Sequence, residues 1–444
     1  MTREKVINTI NEIVDRYHFT EIDGALKGKY FPNNVVLMSL SYLLDRNHLI
    51  IGDPGWGKTT LAQILSSKFS GIPFDLYESL TVEGHPGLFT EKWKARPHYG
   101  SLTQGVEKVI WQGSFGLDTF IVDEINRVSP DVQDEMLEGI RTGRWTYMND
   151  VLYEGKKPTF LTMNDRDNGN GSLIPPLEDR IDIVTEECVG SPLNDYRVAE
   201  KRIRDNLSDP RVTTSALDEL NKMDFAQFKS IIARNKKGDY LTADEKRSIQ
   251  ESIEKIPYTN DALYFLWTFA SEINYNFRYG KKRARDPISD DDHDKQFAGI
   301  HVKNSFSARP EMATQVYSKG LAWFLGDEKV ELDHIRYVLP YVTAHKLDFT
   351  DDFRDKHGND IRTDYEDLHL AKKLVELVEE NYSKSIKPLR NIIADIQAEK
   401  IKIKDASKGI FIVNGKKTTK DDFDHPLLRH IIENKILSQK SNIK

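Results

Sequence analysis

The segment Gly52-Asp53-Pro54-Gly55-Trp56-Gly57-Lys58-Thr59-Thr60 has the residue types and spacing to hold phosphate. Its glycines let backbone N–H groups close around phosphate oxygens, and a helix starting just after them adds its positive end. Lys58 brings a cation to the outer phosphates, and Thr59 offers a hydroxyl to Mg²⁺. Asp53, Pro54, Gly55, Trp56, Gly57 and Thr60 complete the wall around the ligand. The expected ligand is a nucleoside triphosphate with its metal. Further along, Asp123-Glu124 ends an apolar run. Asp123 suits the magnesium shell, and Glu124 suits a general base that polarises an attacking water. Asn164 follows Phe160-Leu161-Thr162-Met163 and offers an amide to orient that water. Alone, the acid pair would be a solvated cap and the Asn a turn former. In this order the three pieces read as one hydrolytic site.

Such side chains need a covered parallel sheet to aim them. Residues 49–51 read as the strand feeding the loop and 61–65 as part of the helix leaving it. Residues 74–79 read as a second strand, 119–122 as another and 160–163 as the next. Upstream, Val6, Ile7, Ile10, Ile13 and Val14 recur at helical spacing. Residues 24–34 read as loop and 35–44 as a buried helix. The stretch 84–105 is punctuated by Gly and Pro and is long for a connection, which marks it as functional. Residues 131–140 read as helix, and 145–147 with 151–153 as a hairpin around Asn149-Asp150. A helical region begins near Pro192, includes the charged stretch 221–256, and closes with 332–347. Beyond Asp348, Leu368, Ala371, Leu374, Val375 and Val378 form a helical stripe. Ile386, Leu389, Ile392, Ile393 and Ile396 continue it, with a break or bend expected near Pro388. Residues 410–413 read as a small strand. The expected fold class is α/β: a phosphate-loop core over 1–190, a helical region over 191–347 and a mostly helical extension over 348–444.

A length of 444 residues with 39% hydrophobic content suits two or three domains. The net charge of -7 speaks against a chain that is nucleic-acid-like as a whole. The single cysteine, Cys188, excludes an intrachain disulfide and a thiolate metal cluster and is expected to fill a core or interface gap. This suits a cytoplasmic protein. The first residues lack the apolar block of a signal peptide. The apolar run 35–44 is interrupted by Ser39, Ser41 and Tyr42 and is too short to span a bilayer, so no membrane insertion is expected. The histidines show no metal-ligand spacing, and His334 and His345 read as helix-face residues.

Taken in order, residues 52–59, 122–127 (Val-Asp-Glu-Ile-Asn-Arg), 162–165 (Thr-Met-Asn-Asp) and 173–180 (Leu-Ile-Pro-Pro-Leu-Glu-Asp-Arg) resemble the motifs of AAA+ ATPases, specifically the MoxR family. Residues 123–127 followed by Gln133 and Met136-Leu137-Glu138 are the most characteristic piece. The resemblance covers residues 30–347, roughly. It implies an AAA+ core with a parallel sheet, an all-helical lid, and rings, usually hexamers, with ATP between subunits. It implies Walker A at Lys58 and Thr59, Walker B at Asp123 and Glu124, and sensor 1 at Asn164. Arg180 matches the arginine finger, which neutralises charge on the neighbouring subunit's γ-phosphate. A salt bridge of Arg180 to Glu178 or Asp182, and a neighbour-contacting role for Arg127, stay open. Arg309, in Phe306-Ser307-Ala308-Arg309-Pro310, matches sensor 2 but is displaced from the family's Ser-Pro-Arg.

Residues 83–105 sit where the family carries its helix-2 insert, and 145–153 where it carries a pre-sensor hairpin. The run Lys92, Lys94, Arg96 and His98 with Trp93 and Tyr99 reads as a grip for an acidic peptide or nucleic acid, or as a solvated loop. The basic cluster 281–285 is offset by Asp286 and Asp290 to Asp292 and reads as surface. The implied function is a ring ATPase that turns ATP into ADP and phosphate and remodels or activates a partner protein. The family often works with proteins containing a von Willebrand factor A domain. Two other classes share the motifs: a nucleic-acid-stimulated motor or restriction-complex subunit, and a nucleotide-controlled scaffold. Net acidity and the lack of a DNA-binding module or nuclease motif weigh against the first. The presence of Glu124 weighs against the second.

Overall fold

The structure is a computed structural model. It describes residues 2–18, 20, 22–164, 172–187, 206–276, 280–282, 288, 292, 294–358, 365–397, 402–405, 410–413, 416–419 and 425–427. Cys188, Asp165 and the arginines at 283 and 285 lie outside them.

Short apolar runs become the strands of one parallel sheet. In spatial order these are Ile183–Glu186, Asn47–Ile51, Thr159–Met163, Phe120–Asp123 and Val82–Glu83. Leu161 lies opposite both Leu49 and Val122, and Val184 lies opposite Leu49. The buried, near-continuous apolar character fits strands covered on both faces. Thr159–Met163 is inserted between Asn47–Ile51 and Phe120–Asp123, so strand order reverses there. Such a reversal opens a crevice at the carboxyl ends of the strands.

The helix Lys58–Ser70 leaves the Asn47–Ile51 strand through the glycine loop. Gly57 and Gly71 bound it, both in the left-handed region at φ 80° and 74°. The helix Asn33–Leu43 is buried along its whole length, as expected. Two local expectations are corrected. Residues 74–79 are not a strand: Phe74–Leu80 is a helix, with Phe74 and Tyr77, three apart, on its buried face and Asp75 in its first turn. The edge strand is Val82–Glu83 instead. Within 24–34, Gly24–Leu26 pairs with Lys29–Phe31 as a hairpin. Lys27 and Gly28 both take positive φ, the geometry of a tight two-residue turn.

The expected hairpin is present as Arg144–Tyr147 and Asp150–Tyr153. Within the punctuated stretch, Ala95–Pro97 forms a second antiparallel pair with Val109–Trp111 just beyond it. Aromatic rings tie both to the sheet. Trp145 lies 5.8 Å from Trp93, 4.8 Å from Phe115 and 5.4 Å from Phe120, centroid to centroid. Trp111 meets Phe115 edge-on at 5.9 Å. Phe120 belongs to the strand that ends in Asp123, so both excursions share a core with that strand.

The charged stretch folds as the helices Pro210–Asn221, Phe225–Arg234 and Ala243–Glu254. Asp209, Asp224 and Thr242 cap them through their side chains. Of their sparse apolar residues, Phe228, Ile232, Ile249 and Ile253 are buried, while Leu217, Leu220, Phe225 and Ile231 are half-buried. The chain forms two compact units. The first holds Met1–Pro257, Ala313–Val330 and Arg362–Tyr365; the second holds Tyr258–Met312, Glu331–Ile361 and Glu366–Lys444. The charged helices thus pack with the α/β core, whereas the sequence reading groups them with the helical region.

The second unit carries the helices Asn260–Asn274, Leu332–Thr343, Asp351–His357 and Glu366–Gln397. The last buries Leu368, Ala371, Leu374, Val375 and Val378, the expected stripe. It runs through Pro388 without the expected break. A proline there removes one backbone hydrogen bond. The strands Lys402–Asp405, Ile410–Val413 and Lys416–Thr419 form a small antiparallel meander. Among the described residues, no helix is long and apolar enough to cross a membrane.

Candidate active site

The carboxyl ends of three neighbouring strands bring Lys58, Thr59, Asp123, Glu124 and Asn164 together. Lys58 is buried, and its Nζ donates to Gly52 O at 2.7 Å, Asp53 O at 2.8 Å and Asn164 Oδ1 at 2.8 Å. Burial pushes its pKa down, while the charges of Asp123, Glu124, Asp53 and Glu187 oppose that. The Thr59 hydroxyl donates to Asp123 Oδ1, and so does the Thr162 hydroxyl. Asn164 Nδ2 donates to Glu124 Oε1 at 3.1 Å, and Arg127 Nη1 lies 2.9 Å from Glu124 Oε2. A continuous polar chain therefore runs from Lys58 through Asn164 and Glu124 to Arg127.

The backbone at the acid pair is strained. Glu124 has φ 51° and ψ 50°, a left-handed conformation that a residue with a Cβ rarely takes. Gly84 lies against it: its N–H donates to Asp123 O at 2.8 Å, and a Cβ there would stand 2.3 Å from Glu124 O. Glu124 N also donates to Thr162 Oγ1 at 3.0 Å. The turn that aims Glu124 is thus held from both sides.

The remaining loop residues line the entrance. Pro54 and Gly55 are exposed, while Asp53, Trp56, Gly57, Thr59 and Thr60 are half-buried. Gly55 and Gly57 take φ of 87° and 80°. Arg180 lies elsewhere. Its backbone carbonyl accepts from Asn47 Nδ2 at 2.8 Å, at the amino end of the strand whose carboxyl end carries the loop. A five-residue strand spans roughly 15 Å. The guanidinium donates to Pro176 O at 2.6 Å and pairs with neither Glu178 nor Asp182; Asp182 pairs with Arg46 at 3.5 Å. Arg309 is exposed near the start of the helix Ala308–Leu325, and it belongs to the second unit.

Thr162, Gly84 and Arg127 have parts in the site that the sequence reading does not give them. Thr162 was legible: it stands two residues before Asn164, so both side chains leave the strand on one face. The pairing of Arg127 with Glu124 has no spacing signal beyond proximity. The basic run of the insert divides. Lys94 is turned inward, 3.8 Å from Glu135, and burial pushes its pKa down. His98 caps a short helical turn by accepting from Ser101 N at 3.0 Å. The run is not one basic face.

A glycine loop after the first core strand, an acid pair after a neighbour and an amide after the strand between them define a phosphate-loop nucleotide hydrolase core. Residues 47–181 match the AAA domain of the dynein-related subfamily, so this segment is an AAA+ ATPase domain. In fold, the chain is similar to a solved protein of Cytophaga hutchinsonii assigned as an ATPase. The TM-score is 0.56 with 12% sequence identity, over 85% of this chain and 94% of that one. No curated protein matches the chain.

Proposed function

We propose that the chain hydrolyses ATP to ADP and phosphate, assembles with copies of itself into a ring, and uses the cycle to remodel or activate a partner protein. The convergence of Lys58, Asp123, Glu124 and Asn164 on one edge of the sheet carries the reading. Lys58 binds the outer phosphates, and Glu124 polarises the attacking water, which Asn164 orients. Thr59 and Asp123 present a hydroxyl and a carboxylate oxygen side by side. That all-oxygen donor set fits Mg²⁺, which keeps further positions for phosphate and water. When bound, the ion neutralises phosphate charge.

The placement of Arg180 across the sheet from its own loop supports a role on a neighbour's nucleotide. A hexamer, with Arg309 as sensor 2, follows the MoxR-like motif order. The same order supports a partner with a von Willebrand factor A domain.

The test is steady-state ATP hydrolysis at rising protein concentration. Activity should rise cooperatively in the wild type. Glu124→Gln should lower turnover by about a hundredfold or more. Arg180→Ala should lower it by about a thousandfold or more. Activity independent of concentration and insensitive to Arg180→Ala would reject the composite site.

A further inference from the structure

A buried acid stands behind the phosphate loop, where negative charge opposes the expected ligand. Glu187 follows the Ile183–Glu186 strand and is 2% exposed. Its carbonyl passes so close to the loop that a Cβ on Gly52 would lie 2.3 Å away. Its charge acts on Lys58. Two donors hold its carboxylate: His18 Nε2 lies 2.7 Å from Oε1, and Asn34 Nδ2 lies 2.9 Å from Oε2. The His18 ring is buried too, and its Cε1 lies 3.7 Å from where a Cβ on Gly57 would stand. One dyad therefore touches the loop at both its first and its last glycine. His18 Nδ1 is buried without a hydrogen-bond partner, so the contact with Glu187 is what orients the ring.

We propose that His18 is a positioning residue for nucleotide binding, masking the Glu187 carboxylate so that the loop accepts a triphosphate. A buried carboxylate stripped of one donor projects its field through a medium of low effective dielectric. That field repels ATP more than ADP, because ATP carries one more charge. A ring that merely fills space would affect both nucleotides alike. The proposal rests on the reading that the loop binds ATP.

Calorimetric titration of the full chain with ATP and with ADP, each with Mg²⁺, separates these cases. His18→Phe keeps the ring volume and removes the donor. It should weaken ATP by roughly tenfold and ADP by distinctly less. His18→Gln, which can still donate, should hold ATP affinity within about threefold. The double variant His18→Phe with Glu187→Gln should recover most of the loss, because the unmasked charge is gone. Equal weakening of both nucleotides, or a double variant as weak as His18→Phe alone, would overturn the proposal. Wild-type protein that binds no ATP would instead refute the nucleotide reading itself.

Discussion

In the first unit, the buried imidazole of His48 has both nitrogens engaged, with Ser41 Oγ at 2.8 Å and Thr185 Oγ1 at 2.8 Å. In the second, the buried carboxyl of Glu272 leaves Oε1 without a hydrogen-bond partner. Its Oε2 accepts from Ala298 N at 3.1 Å and Asn381 Nδ2 at 3.5 Å. His425 Nε2 lies 3.8 Å from Oε1, too far for a hydrogen bond. Both groups are fully buried, yet their protons are held in opposite senses. Burial pushes His48 down to about 3, so it stays neutral in the fold. Burial pushes Glu272 up to about 8, with the Ala298 and Asn381 donors opposing. Each unit thus keeps its ionisable group uncharged, and each is exposed to a different pH change. The satisfied histidine joins the Asn33–Leu43 helix to two strands, and Ser41 extends the link to Tyr317 OH at 2.7 Å.

The largest effect that tests this contrast is the pH dependence of stability. For His48 the unfolded chain takes up a proton near 6.5 and the fold does not. Its contribution is complete above 6.5 and is lost as pH falls toward 3. For Glu272 the fold keeps a proton that the unfolded chain releases near 4.5. Its contribution is complete below 4.5 and is lost as pH rises through 8. Each loss approaches about 5 kcal/mol at its limit. His301, half-buried in the second unit and pushed down to about 4 by burial, adds an acid-side loss there. The alkaline side is therefore the discriminating one. After correction for the base-catalysed intrinsic rate, hydrogen-exchange protection between pH 7 and 9 should fall in peptides covering Asn260–Asn274 and stay unchanged in those covering Asn33–Leu43. Glu272→Gln should abolish the alkaline change. An equal loss of protection in both units would break the contrast.

A smaller effect separates how the two units are packed. The first unit joins its excursions to the sheet through aromatic rings, and Trp145 sits over Gly139, where a Cβ would lie 2.3 Å from the ring. The second buries an aliphatic stripe that includes Leu374, with the ring pair Phe265–Tyr382 at 5.4 Å between the helices Asn260–Asn274 and Glu366–Gln397. Trp145→Ala should lower stability by about 4 kcal/mol, and Leu374→Ala by about 3. In urea titrations followed by exchange, the Trp145 loss should loosen both Ala95–Pro97 and Asp150–Tyr153, because one ring cluster holds them. The Leu374 loss should stay within the second unit. Loosening confined to the Asp150–Tyr153 strand would show that the cluster does not act as one body.

These differences explain what could be read in advance. The glycine loop, Asp123, Glu124 and Asn164 were legible because phosphate chemistry imposes a fixed spacing at strand ends. Residues 49–51, 119–122 and 160–163 were legible because covered strands must be apolar throughout. Phe74–Leu80 was misread because a short buried run has no decisive period, and Phe74, Leu76 and Tyr77 satisfy a strand nearly as well as a helix. The turn at Lys27-Gly28 was hidden because lysine rarely marks a left-handed position. His18, Glu187 and Glu272 gave no signal. Their roles depend on partners far along the chain, and no local pattern announces a buried charge.

The smallest effect compares one device used in both units. Thr242 and Glu245 form a capping box on the helix Ala243–Glu254. The Thr242 hydroxyl accepts from Glu245 N at 3.2 Å, and Glu245 returns the bond to Thr242 N at 2.8 Å. Glu331 and His334 do the same for the helix Leu332–Thr343, where Glu331 N donates to His334 Nδ1 at 3.0 Å. The first box lies at the surface, and Glu245 also meets Lys5 at 3.0 Å. Water can replace the lost acceptor there, so Thr242→Ala should lower the unfolding free energy by about 1 kcal/mol. Thr242→Ser should be nearly neutral. His334 is fully buried, so His334→Ala leaves an unpaired donor and a cavity together. It should lower stability by at least twice as much as Thr242→Ala. Equal losses in denaturant titrations would mean that the buried box relaxes onto another partner.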